Sequence, residues 1–443
     1  MERNIDKDLL EWKASRHYPL LLRGARQVGK TYAVRKLGEA FDDLIEINFE
    51  KDPTFKELIL SLDPKDILKK IEMRLQKKVV PGKTLLFFDE IQECPKAIMA
   101  LRYFKEEMED LHVIGAGSLL EFALRDENFR MPVGRVQFMF LYPLSFCEFL
   151  KATNNHQLLE ALDKTTLKTP PEPFLHDLAL KMVRTYFAVG GMPAAVCAYA
   201  KNSNVLETQD IQTNLLMTYR NDFGKYAKLS DHKHLQRVFE KTPLYIAQWL
   251  KYTKIDPDAD IRSIKNALSQ LCDAGLIHLV YASSAIGLPL VGSMNSKKFK
   301  PLYLDIGLAH RACKVDLELL LGSDLMMINQ GALAEQFVGQ ELLTTSPSNE
   351  QTQLFFWSRE MRSDAAEVDY LHTIKGHIIP IEVKAGATGR LRSLNLFLND
   401  KQSPVGLRIS NLPLSQHNKI ISVPFYLIHK LQDLIIEFNS QSN

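Results

Sequence analysis

The chain has 443 residues, 46% hydrophobic and 24% charged, with a net charge of +2. That length exceeds one ordinary core, so roughly two to four domains are expected, and the charge balance excludes a chain-wide field for nucleic acid. Five cysteines without a CxxC pair exclude a disulfide framework or zinc site; the charged N-terminus is no signal peptide, and no apolar run is as long as a membrane span, so a cytoplasmic protein is expected.

In chain order, the first third alternates short apolar runs with amphipathic stretches, the rhythm of a parallel sheet covered by helices. Residues 18–22 read as a strand, 31–41 as a helix, 44–49 as a strand, 55–76 as helices interrupted near Asp63-Pro64. A buried strand follows at 84–88, a helix at 97–109 and a strand at 112–115. Residues 145–228 keep helical spacing, broken at 168–173 and at Gly190-Gly191-Met192-Pro193. Helices at 235–250 and 261–274 lead into apolar strands at 275–281 and 300–304, the layout of a winged helix. A helix at 331–343 precedes strands at 354–357, 367–373 and 377–384, and a last α/β stretch closes on a C-terminal helix.

Gly24-Ala25-Arg26-Gln27-Val28-Gly29-Lys30-Thr31 fits G-x-x-x-x-G-K-[ST], between an apolar strand and a helix. Its glycines let backbone N–H groups face phosphates at a helix N-terminus. Gly24, Gln27, Val28 and Gly29 would cradle ATP, Lys30 would reach the β- and γ-phosphates, and Thr31 would ligate Mg²⁺. Thr84-Leu85-Leu86-Phe87-Phe88-Asp89-Glu90 supplies a second buried strand ending in acids: Asp89 for the Mg²⁺, Glu90 to polarise the attacking water. Ser118, after Ile114-Gly115-Ala116-Gly117, is either a γ-phosphate sensor or the N-cap of a helix at 119–124. Arg135 is either a cation for the transition state, in cis or from a neighbouring subunit, or a surface ion pair.

Near the C-terminus, Glu367-Val368-Asp369 and Ile381-Glu382-Val383-Lys384 lie on successive apolar strands. Glu382 and Lys384, two apart, share one face of a strand. If the strands pair, Asp369 and Glu382 converge on one divalent cation, with Lys384 beside them and Glu335 added from an upstream helix. That is the residue set of a PD-(D/E)xK nuclease; the plainer alternative is the wet face of an amphipathic strand. Ser296-Lys297-Lys298-Phe299-Lys300 and Gly389-Arg390-Leu391-Arg392 are basic stretches suited to phosphates or simply solvated turns.

These motifs, with Gly134-Arg135-Val136, Tyr142-Pro143-Leu144-Ser145-Phe146, Tyr219-Arg220-Asn221-Asp222, Tyr303-Leu304-Asp305-Ile306-Gly307-Leu308 and Leu407-Arg408-Ile409-Ser410, resemble the bacterial and archaeal AAA-type ATPases that carry a C-terminal DUF4143 region. The resemblance implies an α/β protein: a P-loop NTPase core over 1–144, a helical lid over 145–230, a winged-helix connector over 231–320 and a PD-(D/E)xK nuclease-like domain over 321–443. The function expected is a Mg²⁺-dependent ATPase controlling the conformation of a nuclease-like, nucleic-acid-handling domain. The alternative is a nucleotide-dependent signalling switch without nuclease. ATP, DNA or RNA, and a second copy of the chain are the partners considered.

Overall fold

A computed structural model describes residues 1–15, 18–118, 129–132, 134–226, 231–315, 330–359, 366–384 and 391–441. The helix expected at 119–124 and the first two residues of the basic stretch 389–392, Gly389 and Arg390, lie outside them. The chain divides into two compact units. The first comprises Met1–Tyr142 with two short later segments, Asp273–Gly275 and Ser346–Gln351.

The first unit opens with helix α1 (Ile5–Ala14), followed by β1 (Leu20–Arg23), α2 (Lys30–Gly38), β2 (Asp43–Asn48), α3 (Pro64–Leu75), β3 (Thr84–Asp89), α4 (Pro95–Glu107), β4 (His112–Gly117) and β5 (Gln137–Phe140). The strands form a five-stranded sheet in the order β2-β3-β4-β1-β5, every pair parallel. Its central strands are covered on both faces, which is why β3 and β4 are buried at every position and read as unbroken apolar runs. Prolines at the first turns of α3 and α4 begin those helices, where a missing N–H costs nothing. Phe88, Ile98, Leu101 and Phe104 join Ile45 and Ile71 in the core on one face. Because all strands run the same way, their C-terminal ends share one edge, and the residues after β1, β3 and β4 meet there.

The second unit comprises Pro143–Cys272, Leu276–Thr345 and Thr352–Asn443. It begins with helices α5 (Phe146–Ala152), α6 (His156–Asp163), α7 (Pro173–Val189), α8 (Pro193–Asn202) and α9 (Val205–Tyr226). Ser145 and Glu148 close a reciprocal capping box at the start of α5. The expected break at Gly190-Gly191 is fixed by a buried acid: Asp305 Oδ2 accepts from the Gly191 N–H at 2.6 Å and its Oδ1 from the Leu308 N–H at 3.0 Å. Gly190, at φ 74°, could not carry a Cβ, which would sit 2.3 Å from Asp305 Oδ1.

Helices α10 (His232–Lys241), α11 (Tyr252–Ile255) and α12 (Ile261–Asp273) precede the antiparallel pair β6 (Ile277–Ser283) and β7 (Met294–Tyr303). The helix expected over 235–250 stops at Lys241 because Pro243 cannot donate to the next turn. After α13 (Ile306–Ala312) and α14 (Gln330–Thr344) come β8 (Leu354–Arg359), β9 (Ala366–Ile374), β10 (His377–Lys384), α15 (Arg392–Lys401), β11 (Gly406–Ser410), β12 (Ser415–His417), β13 (Ile420–Pro424) and α16 (Leu431–Gln441).

The hairpin expected of a winged helix forms, but it is not a sheet of its own. Strand β6 pairs in parallel with β8, so an eight-stranded sheet runs β12-β13-β11-β10-β9-β8-β6-β7. The boundary expected between 320 and 321 therefore divides strands of a single sheet. A parallel pair needs a long crossover, here the stretch holding α13 and α14, and apolar patterning does not say which strands it joins. Gln336 of α14 fastens that crossover by accepting from the Tyr303 N–H and donating to the Tyr303 carbonyl, both at 2.8 Å.

Candidate functional sites at the P-loop and the C-terminal sheet

Strand β1 delivers the chain to Gly24 at φ 150°, where a Cβ would fall 2.2 Å from the Leu141 carbonyl oxygen. Gln27 and Gly29 also have positive φ, and Val28 between them is fully buried. The loop thus turns straight into the N-terminus of α2, where anions are favoured. Lys30, itself buried, folds back and donates to the Gly24 and Ala25 carbonyls at 3.0 and 2.9 Å. Burial lowers its pKa to about 8, against the opposing pull of Glu90 and Asp89.

The Thr31 hydroxyl donates to Asp89 at 3.1 Å. Asn48, in register with Asp89 across β2 and β3, donates to the same carboxylate at 2.9 Å. Burial, then the charge of Glu90, holds Asp89 above the usual carboxylate range. Glu90 leaves β3 in a left-handed conformation, φ 49°, and accepts from Gln92 at 2.7 Å. Ser118 follows Gly117, which is in register with Arg23, so it stands at the same sheet edge as Gly24. Its hydroxyl is buried with no hydrogen-bond partner among the described residues. The hydroxyl of Thr31 and the carboxylate of Asp89, already in contact, are the hard oxygen donors that suit Mg²⁺.

Arg135 is the exception. It precedes β5, whose Gln137 is in register with Leu20 at the start of β1, so within one chain it lies at the N-terminal edge, opposite the P-loop. There it donates to Glu106 at 3.0 Å, near the end of α4. The surface ion pair is what this chain forms, because a parallel sheet separates the two edges by the length of its strands.

At the C-terminal sheet, β9 and β10 form the expected antiparallel hairpin, closed by Lys375 and Gly376, both at positive φ. Asp369 Oδ2 accepts from the Val383 N–H at 2.8 Å, and Lys384 pairs with Glu382 at 2.5 Å. Glu335 of α14 joins the group, but through a residue from another strand. The ammonium of Lys300, on β7, lies 3.2 Å from Glu335, 2.6 Å from Glu367 and 3.7 Å from Asp369, and the residue is only 3% exposed. Glu367 also accepts from the Trp249 indole at 2.6 Å. Burial tends to lower the Lys300 pKa, yet Glu335, Asp369 and Glu367 together push it up. Burial in turn raises Glu335 and Asp369, and moves Glu382 to about 7. The three acids expected to hold a divalent cation, Glu335, Asp369 and Glu382, thus lie within electrostatic reach of one another, with Lys384 on Glu382 and the Lys300 ammonium already on the other two. Among the described residues, no group of three or more His, Cys, Asp or Glu side chains is arranged to hold a metal ion.

The sequence matches the model of an AAA domain over residues 16–150, that of a domain of unknown function (DUF8612) over 180–319, and that of a domain of unknown function (DUF4143) over 330–426. This chain belongs to the AAA-type P-loop ATPases with a C-terminal DUF4143 domain. No curated protein matches it. Among solved structures it is similar to a Walker-type ATPase of Pyrococcus abyssi, at 17% identity over 70% of this chain and 95% of that one, TM-score 0.43. It is also similar to the RuvB Holliday junction branch migration motor of Thermotoga maritima, at 18% identity over 62% and 88%, TM-score 0.27. AMPPCP-bound DnaA from Aquifex aeolicus is similar at 11% identity over 61% and 86%, TM-score 0.26. No helix among the described residues of this AAA-type ATPase is long and apolar enough to cross a membrane.

Several partners in these sites escape motif reading. Asn48 ends an ordinary strand, and only strand pairing sets it against Asp89. Arg3 donates to the Val28 carbonyl of the P-loop at 3.0 Å and to the Tyr142 carbonyl at 2.7 Å, a link across most of the first unit. Glu367 had a visible signal, since it alternates with Asp369 on one strand face. Lys300 had none: in sequence it belongs to a basic hairpin suited to phosphates, whereas the fold buries it. Its neighbour Lys298 stacks over the Trp249 ring at 3.2 Å.

Proposed function

We propose that this protein is a Mg²⁺-dependent ATPase whose nucleotide state sets the conformation of its C-terminal region. The observation that carries the reading is the direct contact of Thr31 with Asp89 beneath a buried Lys30, with Glu90 next along the chain. Thr31 and Asp89 would hold the Mg²⁺, which supplies charge neutralisation for the β- and γ-phosphates. Lys30, its ammonium resting on two carbonyls, is free to exchange those acceptors for phosphate oxygens. Glu90, at the open end of β3, accepts the proton of the attacking water or orients it. Ser118, with an unspent buried hydroxyl at the same edge, donates to the γ-phosphate.

Coupling is supported by the turn after α12. Asp273–Gly275 belongs to the nucleotide-binding unit, and a Cβ on Gly275 would lie 3.4 Å from the Ala25 nitrogen of the P-loop. Movement of that loop on nucleotide binding acts on Gly275, two residues before β6.

A second reading, a nucleotide-dependent switch without nuclease chemistry, is favoured at the output end. Lys300 is paired with Glu335 and Asp369, two of the acids that cleavage would need, and Lys298 is engaged with Trp249, leaving Lys297 exposed at the hairpin. The proposed division beyond the nucleotide-binding unit is a lid over 145–230, a winged helix over 231–320 and a nuclease-like region from 321, with the hairpin incorporated into the C-terminal sheet. DNA or RNA is the partner class to test first.

The test is Lys30→Ala, read by titration of a fluorescent ATP analogue and by phosphate release with Mg²⁺. Binding and turnover should both disappear. Turnover that survives in Lys30→Ala would overturn the assignment of the site.

A further inference from the structure

The C-terminal acids pose a question of charge. Glu335, Glu367, Asp369 and Glu382 come from one helix and two strands and gather beneath the sheet surface, and a cluster of this kind persists only if cations compensate it. Lys384 serves Glu382. Lys300 serves the other three, within 3.7 Å of each. Its ammonium lies over the Phe356 ring, 5.2 Å from the centroid, and its side chain is 4% exposed. Glu382 is 6% exposed, and its Oε2 has no partner among the described residues. One buried acceptor is thus left over in a group otherwise held by the two ammoniums, the Val383 N–H and the Trp249 indole.

We propose that Lys300 is the resident cation of this site, standing where a nuclease of this residue pattern would hold its divalent metal, so that the wild-type site binds no metal while Lys300 fills it. The divalent ion and the ammonium are alternatives, because both would sit among the same carboxylate oxygens and would repel one another at that distance. The role of the group is then to join β7 to β9 and α14. The hairpin that follows α12 is held to the DUF4143 strands by ion pairs as well as by the sheet. With Lys300 in place Glu335, Asp369 and Glu382 are not arranged to hold a metal; removing the ammonium leaves them to close around a divalent ion instead, with the unpartnered Glu382 Oε2 as a ready ligand.

The experiment counts Mn²⁺ by the loss of its free-ion paramagnetic resonance signal, using the full chain without nucleotide. The inference uses only the C-terminal geometry, so its failure leaves the ATPase reading untouched. Wild type and Lys300→Arg should retain no Mn²⁺ beyond that retained by Glu382→Gln. Lys300→Gln should take up about one Mn²⁺ per chain, and the added Glu382→Gln change should abolish that uptake. Uptake of Mn²⁺ by wild type that Glu382→Gln or Asp369→Asn removes would overturn the proposal. So would a folded Lys300→Gln protein that takes up none. The wild-type comparison decides the matter even where Lys300→Gln does not fold.

Discussion

Glu90→Gln separates binding from hydrolysis, and its surroundings allow the expected size of the effect to be worked out. Glutamine is nearly isosteric, so the left-handed backbone at φ 49° is strained equally before and after. The Gln92 amide that donates to Glu90 at 2.7 Å finds the new side-chain carbonyl instead. The change from a charged to a neutral acceptor costs about 1 kcal/mol at most, and the folded protein should melt within a few degrees of wild type. What is lost is the base. A positioned general base is worth about 10²–10⁴ in rate, which is about 3–5 kcal/mol of activation free energy. Removing a negative charge beside Lys30 favours the phosphates, so nucleotide should be held as tightly or more tightly. Phosphate release under saturating Mg²⁺ and ATP, set beside the dissociation constant of a fluorescent analogue, reads both quantities on one preparation. Turnover within about threefold of wild type, or loss of binding together with turnover, would refute the role given to Glu90.

Other changes probe the frame of the site and of the second unit. Gly24→Ala places a Cβ 2.2 Å from the Leu141 carbonyl on a backbone that L residues avoid, and should cost on the order of 3 kcal/mol, seen as a lower melting temperature and lost nucleotide binding. Arg135→Ala removes an exposed pair with Glu106, so stability should change by less than about 1 kcal/mol and turnover should hold; a tenfold fall in rate would place a neighbouring copy's Arg135 at the site. Glu341 is buried, accepts from the Phe146 N–H at 2.9 Å, and has its pKa raised to about 8, chiefly by burial. A carboxyl raised in the folded state contributes stability at low pH and loses it as pH rises from the unfolded value of 4.5 towards 8. Melting temperatures at pH 5 and pH 8 should therefore differ more in wild type than in Glu341→Gln, where a penalty on the order of 4 kcal/mol at pH 8 is absent; equal pH dependence would refute it.

The phosphate loop was legible because its chemistry is local. A glycine that must sit at φ 150°, a lysine and a threonine within one turn, and the strand before them are contiguous in sequence. Asp89 and Glu90 were readable for the same reason, as the acidic end of a strand whose residues 85–88 are all apolar. Their supports were not readable. Asn48 meets Asp89 only because β2 lies beside β3, and Arg3 reaches the Val28 carbonyl from α1. Arg135 shows the converse failure. A Gly-Arg step looks the same at either end of a strand, and only the direction of β5 places it at the far edge.

The C-terminal group depends on this difference between local and distant contacts. The sequence places Glu367 and Asp369 on one strand face and Glu382 and Lys384 on one face of the next, and a tight turn suffices to bring them together. Whether the resulting acids attract a metal, a phosphate or nothing depends on a residue more than sixty positions away from the nearest of those strands. Lys300 enters because β6 takes β8 as its parallel partner, which carries β7 and its lysine into the same sheet. A basic hairpin read alone suggests affinity for nucleic acid, and an acidic strand pair read alone suggests a metal. Brought together by the fold, Lys300 and the acids pair with each other, and of the lysines on the hairpin Lys297 stays exposed. The P-loop lysine also lies buried, but its partners are neutral carbonyls, weaker acceptors for an ammonium than an anionic oxygen. Lys300 is held by three carboxylates, whose charge-assisted bonds are stronger than those to neutral carbonyls. On that contrast, the Lys30 ammonium is the one placed to turn to the nucleotide of the proposed ATPase, while the Lys300 ammonium is committed to its acids.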